Sequence, residues 1–542
     1  MCGKYLYPVD TDQFEDIRER GLLYVDKTGM LFDLVSKYRY VFLSRPRRFG
    51  KSLLCNTFRA YFNGQRELFE GLKIASLEKE WKKYPVLQFA MSGLKHLDLD
   101  EAREKLGLYI SEYERFYGCN SSKASPGARF RNVIHAAHEK SGEKVVVLID
   151  EYDSPILALL HQPEERDAMR RMMREFFQVL KDEGAHIRFV FMTGITKFSQ
   201  MSIFSELNNL KNISMMPEYS GLCGITKTEL ETTLRPHVAD LAERMGCTTE
   251  EAYAKIKEYY DGYHFCKNSE DIYAPYSLLN ALNDGEVREF WFESGTSSSL
   301  MENLKHYPLA KIMSYDGVNV MLKDFAVPCE EATTPMPLLF QCGYLSIDSY
   351  NRMTDTYTLR FPNKEVRNGL IDNIMPLIMH STAEDKNSMI LNMTIKIYDG
   401  DLSGALLHLR SYIAGIPYDI ITKEEWDNKE KREDFYKLLF YMVFSILNSR
   451  VRCENKCILG RADVVIGTAK DVFVLELKVD DTVENALRQI DDKSYAIQWS
   501  ADGRRVTKCG VRIDSERRNI THWRLVDGKN ETIEEKTFAV GQ

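Results

Sequence analysis

The sequence predicts an α/β protein: an N-terminal part built on a largely parallel sheet, a helical middle region, and a compact α/β end rich in strands. Three observations carry this. Over residues 1–215, short β-branched runs alternate with amphipathic stretches, the rhythm of βαβ units. Between 216 and 345 the apolar spacing turns helical, as in Glu250–Tyr260 and Tyr276–Leu282. Beyond the charge-dense stretch Ile421–Arg432, a long helix candidate, Glu433–Leu447, leads into strands that run on to about Thr537. The expected division is 1–215, a helical and winged-helix-like region at 216–345, a connector at 346–430, and a last domain at 431–542.

Composition narrows the class. The chain has 542 residues, 72 Lys+Arg against 80 Asp+Glu, a formal net charge of −8, 44% apolar and 28% charged residues. Those values are ordinary for a globular protein and exclude wholesale disorder or a collagen-like repeat. The run Val145–Ile149 is far short of the ~20 apolar residues that span a bilayer. The first ten residues also lack the apolar core of a signal peptide, so a cytoplasmic protein without a membrane partner is expected. Mild acidity argues against a uniformly basic coat; a nucleic acid would have to be met by local patches. The 11 cysteines are scattered as free thiols in a reducing compartment would be. Cys453 and Cys457 lie close, but without a second pair at zinc-like spacing they read as strand residues.

The strands expected in the N-terminal sheet are Tyr40–Ser44, Val86–Met91, Val145–Ile149 and Ile187–Thr193. After the first comes Arg45-Pro46-Arg47-Arg48-Phe49-Gly50-Lys51-Ser52, then an amphipathic helix, Leu53–Phe62. Strand, loop and helix in that order are what a phosphate cradle needs. Backbone N–H groups and the helix N-terminus would hold phosphates, Lys51 would reach the β/γ oxygens and Ser52 would ligate Mg²⁺. Arg45 stands where the first glycine of G-x4-G-K-[ST] belongs, so this octet alone could also be a basic turn before a helix.

A second element favours the phosphate reading. The apolar run Val145–Ile149 enters Asp150-Glu151, as a Walker B strand does: Asp150 would hold Mg²⁺ through water and Glu151 would polarise the attacking water. The strand Ile187–Thr193 ends at Thr193, where a polar sensor of the phosphate would fall. Arg47 and Arg48 could neutralise phosphate charge or pair with Asp150 or Asp153 and brace the loop.

With Tyr24-Val-Asp-Lys-Thr28, Arg45–Ser52, Asp150-Glu-Tyr-Asp153 and Thr193-Gly-Ile-Thr196, residues from about 5 to 215 resemble the AAA-ATPase-like family of bacterial proteins. That family's P-loop typically reads RPRRFGKS, which Arg45 matches. The likeness continues through Ser202–Asn209, Tyr260-Asp-Gly-Tyr-His-Phe265 and Pro275-Tyr-Ser277. In the second of these, Gly262 is expected to set the backbone and His264 to be structural.

The C-terminal end holds a second constellation. Gly460-Arg-Ala-Asp463 precedes Val464–Ile466, and Val472-Phe-Val-Leu-Glu476-Leu-Lys478-Val479 follows after a short break. Glu476 and Lys478, two apart, share one face of a strand. With a four-residue hairpin loop at 468–471, Asp463 faces Glu476, and cross-strand neighbours ~4.5–5.5 Å apart can share a divalent cation. Lys478 would orient a metal-activated water and stabilise charge on the transition state.

Asp463, Glu476 and Lys478 so spaced are similar to the PD-(D/E)xK nuclease constellation, and residues from about 431 to 530 resemble the domain of that superfamily, which commonly follows the AAA-ATPase-like domain. The resemblance implies a restriction-endonuclease-like α/β fold. Asp481-Thr-Val-Glu484 reads as a capping box opening a helix, Val483–Ala496. Gln489 on that helix resembles the glutamine that supports the site in exonuclease-type members, with Tyr495 at a longer spacing than their strict motif. Glu433 resembles the family's early glutamate, a further metal ligand, though a solvated helix-start acid would look the same. Arg504, Arg505, Lys508, Arg512, Arg517 and Arg518 could contact a phosphate backbone or form a solvated run at a strand edge.

The expectation is therefore an ATP-binding and hydrolysing P-loop protein carrying a Mg²⁺-dependent nuclease domain that acts on DNA, with homo-oligomerisation left open. The alternative is an ATP-switched protein whose nuclease fold binds DNA or a partner without cutting.

Overall fold

The computed structural model describes residues 5–120, 124–196, 209–267, 269–294, 297–307, 312, 315–329, 332–379, 383–416, 426–450, 464–496, 499 and 503–539. The chain divides into two compact units, 1–307 with 315–367, and 308–314 with 368–542. The P-loop sheet and the helical middle belong to the first.

The first unit is built on a five-stranded sheet of β1 (Tyr40–Ser44), β2 (Val86–Ala90), β3 (Val145–Asp150), β4 (Ile187–Gly194) and β5 (Lys211–Asn212), in the order β2-β3-β4-β1-β5. Every pairing is parallel. Each of the four longer strands lies within one residue of its expected bounds. In β1, β3 and β4 the β-branched and aromatic residues are buried on both faces because helices cover both, while the edge strand β2 buries only alternate residues. Phe58 and Phe62 of the helix Lys51–Phe62 pack on Phe189 and on the Phe189 face of β4, where Phe191 also meets Phe58. On the other face Val147, Val190 and Met192 join Leu106, Phe130 and Phe176 from the helices Leu99–Tyr117, Pro126–Ser141 and Pro163–Asp182. Since all strands run the same way, Ser44, Asp150 and Gly194 end at one edge, the edge where α/β sheets bind ligands.

The helical middle comprises Lys227–Glu231, Arg235–Met245, Thr249–Tyr260 and Pro275–Asp284, with a two-stranded ribbon of β6 (Ile225–Thr226) and β7 (Ile272–Tyr273). Thr226 and Thr248 open two of these helices with capping boxes. Their apolar stripes meet at Leu234, Val238, Leu241, Ile256 and Leu278, and Tyr7 joins that core. Lys27 of the early Tyr24–Thr28 motif reaches across to Glu229 at 2.6 Å, a nearly buried ion pair. A three-stranded antiparallel sheet, β8 (Val318–Val320), β9 (Ser346–Asn351) and β10 (Thr356–Arg360), follows in the order β8-β10-β9.

The expected packing role of Tyr260–Phe265 is visible in its contacts. Gly262 has φ +90°, and a Cβ there would fall on the Pro362 carbonyl oxygen, so only glycine suits this turn. His264 is held at both nitrogens, by the Ile347 carbonyl at 2.9 Å and Asp271 at 2.8 Å. Asn363 donates to the Asp261 carbonyl at 2.8 Å, and Glu365 accepts from the Phe290 and Trp291 amides at 2.6 and 2.9 Å.

The second unit contains a mixed sheet of β11 (Val464–Gly467), β12 (Asp471–Val479), β13 (Arg505–Asp514), β14 (Asn519–Val526) and β15 (Thr532–Thr537), in chain order. Only β12 and β13 are parallel, and the helix Val483–Asp492 crosses between them. That helix is capped by Thr482, whose hydroxyl accepts from the Asn485 amide at 3.2 Å. It begins at Val483 as expected, but its cap is Thr482 rather than Asp481, which binds the Thr482 amide and the Asn485 side chain instead, and it stops at Asp492, short of the expected Ala496. The long helix Lys429–Arg450 packs against β11 and β12. Cys453 and Cys457 lie outside the described residues. Among the described residues no helix is long and apolar enough to cross a membrane.

Candidate functional site

At the C-terminal edge of the parallel sheet, β1 hands the chain to the Arg45–Gly50 loop and the helix that begins at Lys51. Lys51 is 5% exposed and folds back on the loop, donating to the carbonyls of Arg45 at 3.1 Å and Pro46 at 2.9 Å. Ser52 Oγ donates to Asp150 Oδ2 at 2.6 Å. Burial pushes the Asp150 carboxyl above its ordinary range, and the Ser52 hydroxyl and Lys51 amine offset part of that. Its other oxygen, Oδ1, is buried without a hydrogen-bond partner among the described residues. An acceptor oxygen left so, beside a serine hydroxyl at a helix start, is a donor set that suits Mg²⁺.

The other loop residues divide by direction. Arg45 is 1% exposed; its guanidinium turns inward and donates to the carbonyls of Ser44 and Ser214 at 2.8 Å and of Tyr219 at 3.2 Å. It also lies 4.0 Å over the Phe265 ring. Carbonyl dipoles and an aromatic face take the place of a carboxylate, and burial lowers the group to about 10, still charged at neutral pH. What Arg45 presents at the loop is therefore its backbone. Pro46 is buried, and Phe49 is edge-on to Tyr263, Phe265 and Trp291. Arg47 lines a cleft with Trp291, Cys342 and Tyr344, while exposed Arg48 sits at φ 64° with its guanidinium 4.4 Å over Tyr276. Gly50 precedes the helix in the left-handed region.

Between β1 and β3 lies β4. Its Thr193 is fully buried, with a hydroxyl unpartnered among the described residues. Glu151, directly after the strand, is half-buried with φ 51°, a strained position of the kind found at working sites. Two residues on, Asp153 explains the rest of the motif. Its Oδ2 accepts the Ile195 amide at 3.0 Å and both the amide and hydroxyl of Thr196 at 2.6 Å. Tyr152 donates its amide to the Thr193 carbonyl at 3.0 Å. Asp150–Asp153 and Thr193–Thr196 thus form one clasp that fixes the ends of β3 and β4.

In the second unit, β11 and β12 pair antiparallel with Val464 opposite Leu475 and Val465 opposite Val474. This is the register the expected hairpin requires; Asp463 itself lies outside the described residues. Val472, Val474, Glu476 and Lys478 alternate onto the face covered by the helix Val483–Asp492, where Ile490 and Tyr495 pack on the two valines. Tyr495 is thereby a packing residue. Farther along, Gln489 Nε2 donates to Glu476 Oε1, and Lys478 Nζ donates to Gln489 Oε1 at 2.6 Å. Lys478 Nζ is 3.7 Å from Glu476, whose side chain is 2% exposed. Gly510 of β13, level with Glu476, lets the helix come this close: a Cβ there would lie 2.5 Å from the Val483 carbonyl oxygen. Glu433 is half-buried near the start of the long helix; its neighbour Arg432 reaches Asp480, just past β12, at 3.5 Å.

Residues 8–204 match the family model described as Predicted AAA-ATPase, and residues 431–523 match that of the PD-(D/E)XK nuclease superfamily. A protein of Azotobacter chroococcum mcd 1, described as an uncharacterized protein in the vnfD 5' region, is 33% identical over 530 residues, spanning 95% of this chain and 97% of its own. The chain belongs to the AAA-ATPase-like family and carries a C-terminal PD-(D/E)XK nuclease superfamily domain.

Within this AAA-ATPase-like chain the basic residues of 504–518 are engaged internally. Arg505 meets Asp471 at 2.6 Å, Lys508 meets Asp491 at 2.7 Å, and Arg517 donates to the Phe538 carbonyl at 3.0 Å. Arg504 donates to the Thr468 carbonyl at 3.3 Å, Arg512 lies 3.8 Å from Asp514, and Arg518 lies over Trp426. Arg505, Lys508 and Arg512 lie on β13, which is flanked by β12 and β14 and so is not a sheet edge, whereas Arg504, Arg517 and Arg518 lie just outside it. Sequence reasoning missed Asp153, Thr196 and Gly510 as positioning residues. The Asp150–Asp153 and Thr193–Thr196 motifs, each beginning at a strand end, were the available signal for the first two.

Proposed function

We propose that this protein binds and hydrolyses ATP with Mg²⁺ at the P-loop and cleaves DNA with Mg²⁺ at the C-terminal domain, nucleotide state gating the cleavage. The observation that carries the nuclease half is the chain of contacts from Glu476 through Gln489 to Lys478. A buried carboxylate and a lysine oriented by one amide are poised groups, since burying either alone would be unfavourable.

In the ATPase, the amides of the Arg47–Ser52 turn cradle the phosphates and Lys51 exchanges its loop carbonyls for β/γ oxygens. Ser52 and Asp150 hold the metal, Glu151 polarises water and Thr193 senses the phosphate. A mostly apolar pocket lined by Tyr24, Val25, Gly50, Leu53, Cys223 and Leu279 adjoins the loop and suits the base. In the nuclease, Asp463, Glu476 and Glu433 hold the metal, Lys478 orients the attacking water and Gln489 fixes Glu476 and Lys478. When bound, Mg²⁺ in each site neutralises phosphate charge and lowers the pKa of a coordinated water.

The test is cleavage of supercoiled plasmid with Mg²⁺, with and without ATP, by wild type, Lys478→Ala and Lys51→Ala. ATP-stimulated cutting that Lys478→Ala abolishes and Lys51→Ala uncouples from ATP is expected. Equal products from wild type and Lys478→Ala would refute cleavage by this site, and retention of uncut DNA would favour a binding role.

A further inference from the structure

At the opposite edge of the parallel sheet, three metal-ligating side chains converge that the P-loop does not use. Glu183 closes the helix Pro163–Asp182, His186 immediately precedes β4, and His135 lies on the helix Pro126–Ser141. Glu183 Oε2 is 2.9 Å from His135 Nε2 and 3.0 Å from His186 Nδ1. The three ligand atoms all lie within 4.8 Å of one another. From His186 to Gly194 the chain runs the length of β4, so this cluster is about 25 Å from the phosphate edge at ~3.3 Å per strand residue.

We propose that His135, Glu183 and His186 form a binding site for a zinc-class divalent transition metal ion that braces this end of the sheet. Two imidazoles and one carboxylate are the ligand set such ions favour. Bonds of ~2.0–2.1 Å in tetrahedral geometry set neighbouring donors about 3.3 Å apart, close to the 2.9 and 3.0 Å that separate Glu183 from the two imidazoles. The carboxylate is oriented from behind: Arg131 Nε holds Glu183 Oε1 at 3.1 Å, leaving Oε2 to face both imidazoles. Arg131 also pairs with Asp182 at 2.8 Å, so these three charged groups sum to one negative charge that a dication offsets. The turn is tight, with the His186 amide donating to the Glu183 carbonyl at 2.9 Å.

Access and support agree with a site open on one side. The Glu183 side chain is 11% exposed, whereas those of His135 and His186 are 43% and 30% exposed, which leaves room for water as a further ligand. His138, one turn beyond His135, lies tilted against His186 with ring centroids 5.1 Å apart and is itself fixed by the Glu143 carbonyl at 2.9 Å. Such surrounding contacts hold ligand rings in place. The ion would tie two helices to the start of β4, the central strand of the sheet, and so act on stability rather than on the phosphate chemistry.

The experiment uses the full-length, reduced protein stripped with a chelator and titrated with Co²⁺, then Zn²⁺. One equivalent of Co²⁺ should give the visible d–d absorption of a four-coordinate nitrogen/oxygen site, without a thiolate charge-transfer band, and Zn²⁺ should displace it and raise the melting temperature. His135→Ala and His186→Ala should each lose that equivalent and the zinc-induced shift, while melting like wild type in chelator. If a variant melts early in chelator, His135→Gln, which retains a polar side chain, replaces it in the same titration. Unchanged Co²⁺ spectra in the variants, a thiolate band, or no zinc effect on wild-type melting would each overturn the proposal.

Discussion

Ser52 Oγ and Asp150 Oδ2 stand 2.6 Å apart, joining the first turn of the P-loop helix to the end of a strand two places away in the sheet. Two groups that would ligate one cation are therefore in contact before any cation arrives. A cation bound there would require little rearrangement: the hydroxyl would turn its proton away and the carboxylate would exchange a neutral partner for a charged one.

That contact sets the first prediction. Lys51→Ala removes charge-assisted bonds to phosphate worth roughly 1.5–3 kcal/mol, so ATP affinity should fall on the order of 10–100-fold. Ser52→Ala should leave metal-free nucleotide binding close to wild type and remove its enhancement by Mg²⁺. Titration of a fluorescent ATP analogue with and without Mg²⁺ distinguishes the two.

Gln489 carries the second. Gln489→Leu keeps the helix contact but unties Glu476 from Lys478, and loss of such an orienting partner lowers metal affinity or activity on the order of 10–100-fold. The effect should appear in plasmid cleavage and in its Mg²⁺ dependence, with ATP hydrolysis unaltered. An equal fall in both activities would point to general misfolding.

The third concerns pH. Burial raises the Glu365 carboxyl to about 7. The folded protein thus keeps this proton after the unfolded chain, near the ordinary glutamate value of ~4.3, has lost it. Its contribution is most favourable below the unfolded value and is lost as pH rises to about 7, a change of about 3 kcal/mol. Glu365→Gln should therefore be more stable than wild type at pH ~8 by that order, the gap closing on acidification below pH ~5. Urea denaturation at several pH values reads it directly.

Gly262 gives the fourth. With φ +90° and the Pro362 carbonyl where a Cβ would sit, Gly262→Ala combines backbone strain of ~1–3 kcal/mol with a clash against main chain. Destabilisation of at least about 2 kcal/mol is expected in chemical unfolding. A neutral result would mean that this turn can move off Pro362.

Much of this architecture was legible because its signals are periodic. The run Val145–Ile149 reads as a doubly covered strand, and with a four-residue loop the spacing between Val464–Ile466 and Val472–Val479 gives the register in which Val464 meets Leu475. Direction was not legible. The octet places Arg45 beside phosphates by position, yet nothing local says that its side chain turns inward to Ser214 and Tyr219, which are far away in sequence. The hold of Asp153 on Thr196, and the closeness of Gly510 to Val483, are likewise tertiary facts that no local pattern encodes. The helix Val483–Asp492 shows the limit of cap reading: Asp481 and Thr482 are both good caps, and the structure gives the Asn485 amide to Thr482 and the Asn485 side chain to Asp481.

The inward arginine at position 45 has a consequence for how such proteins are found. In most P-loops the first glycine serves as an empty space; here the same place is a pillar, with Ser44, Ser214 and Tyr219 leaning on it. Restoring the glycine would improve the match to the general pattern and weaken the molecule. A search keyed to that glycine passes over loops built this way, whereas one keyed to a buried, acid-free arginine ahead of Gly-Lys-Ser retains them.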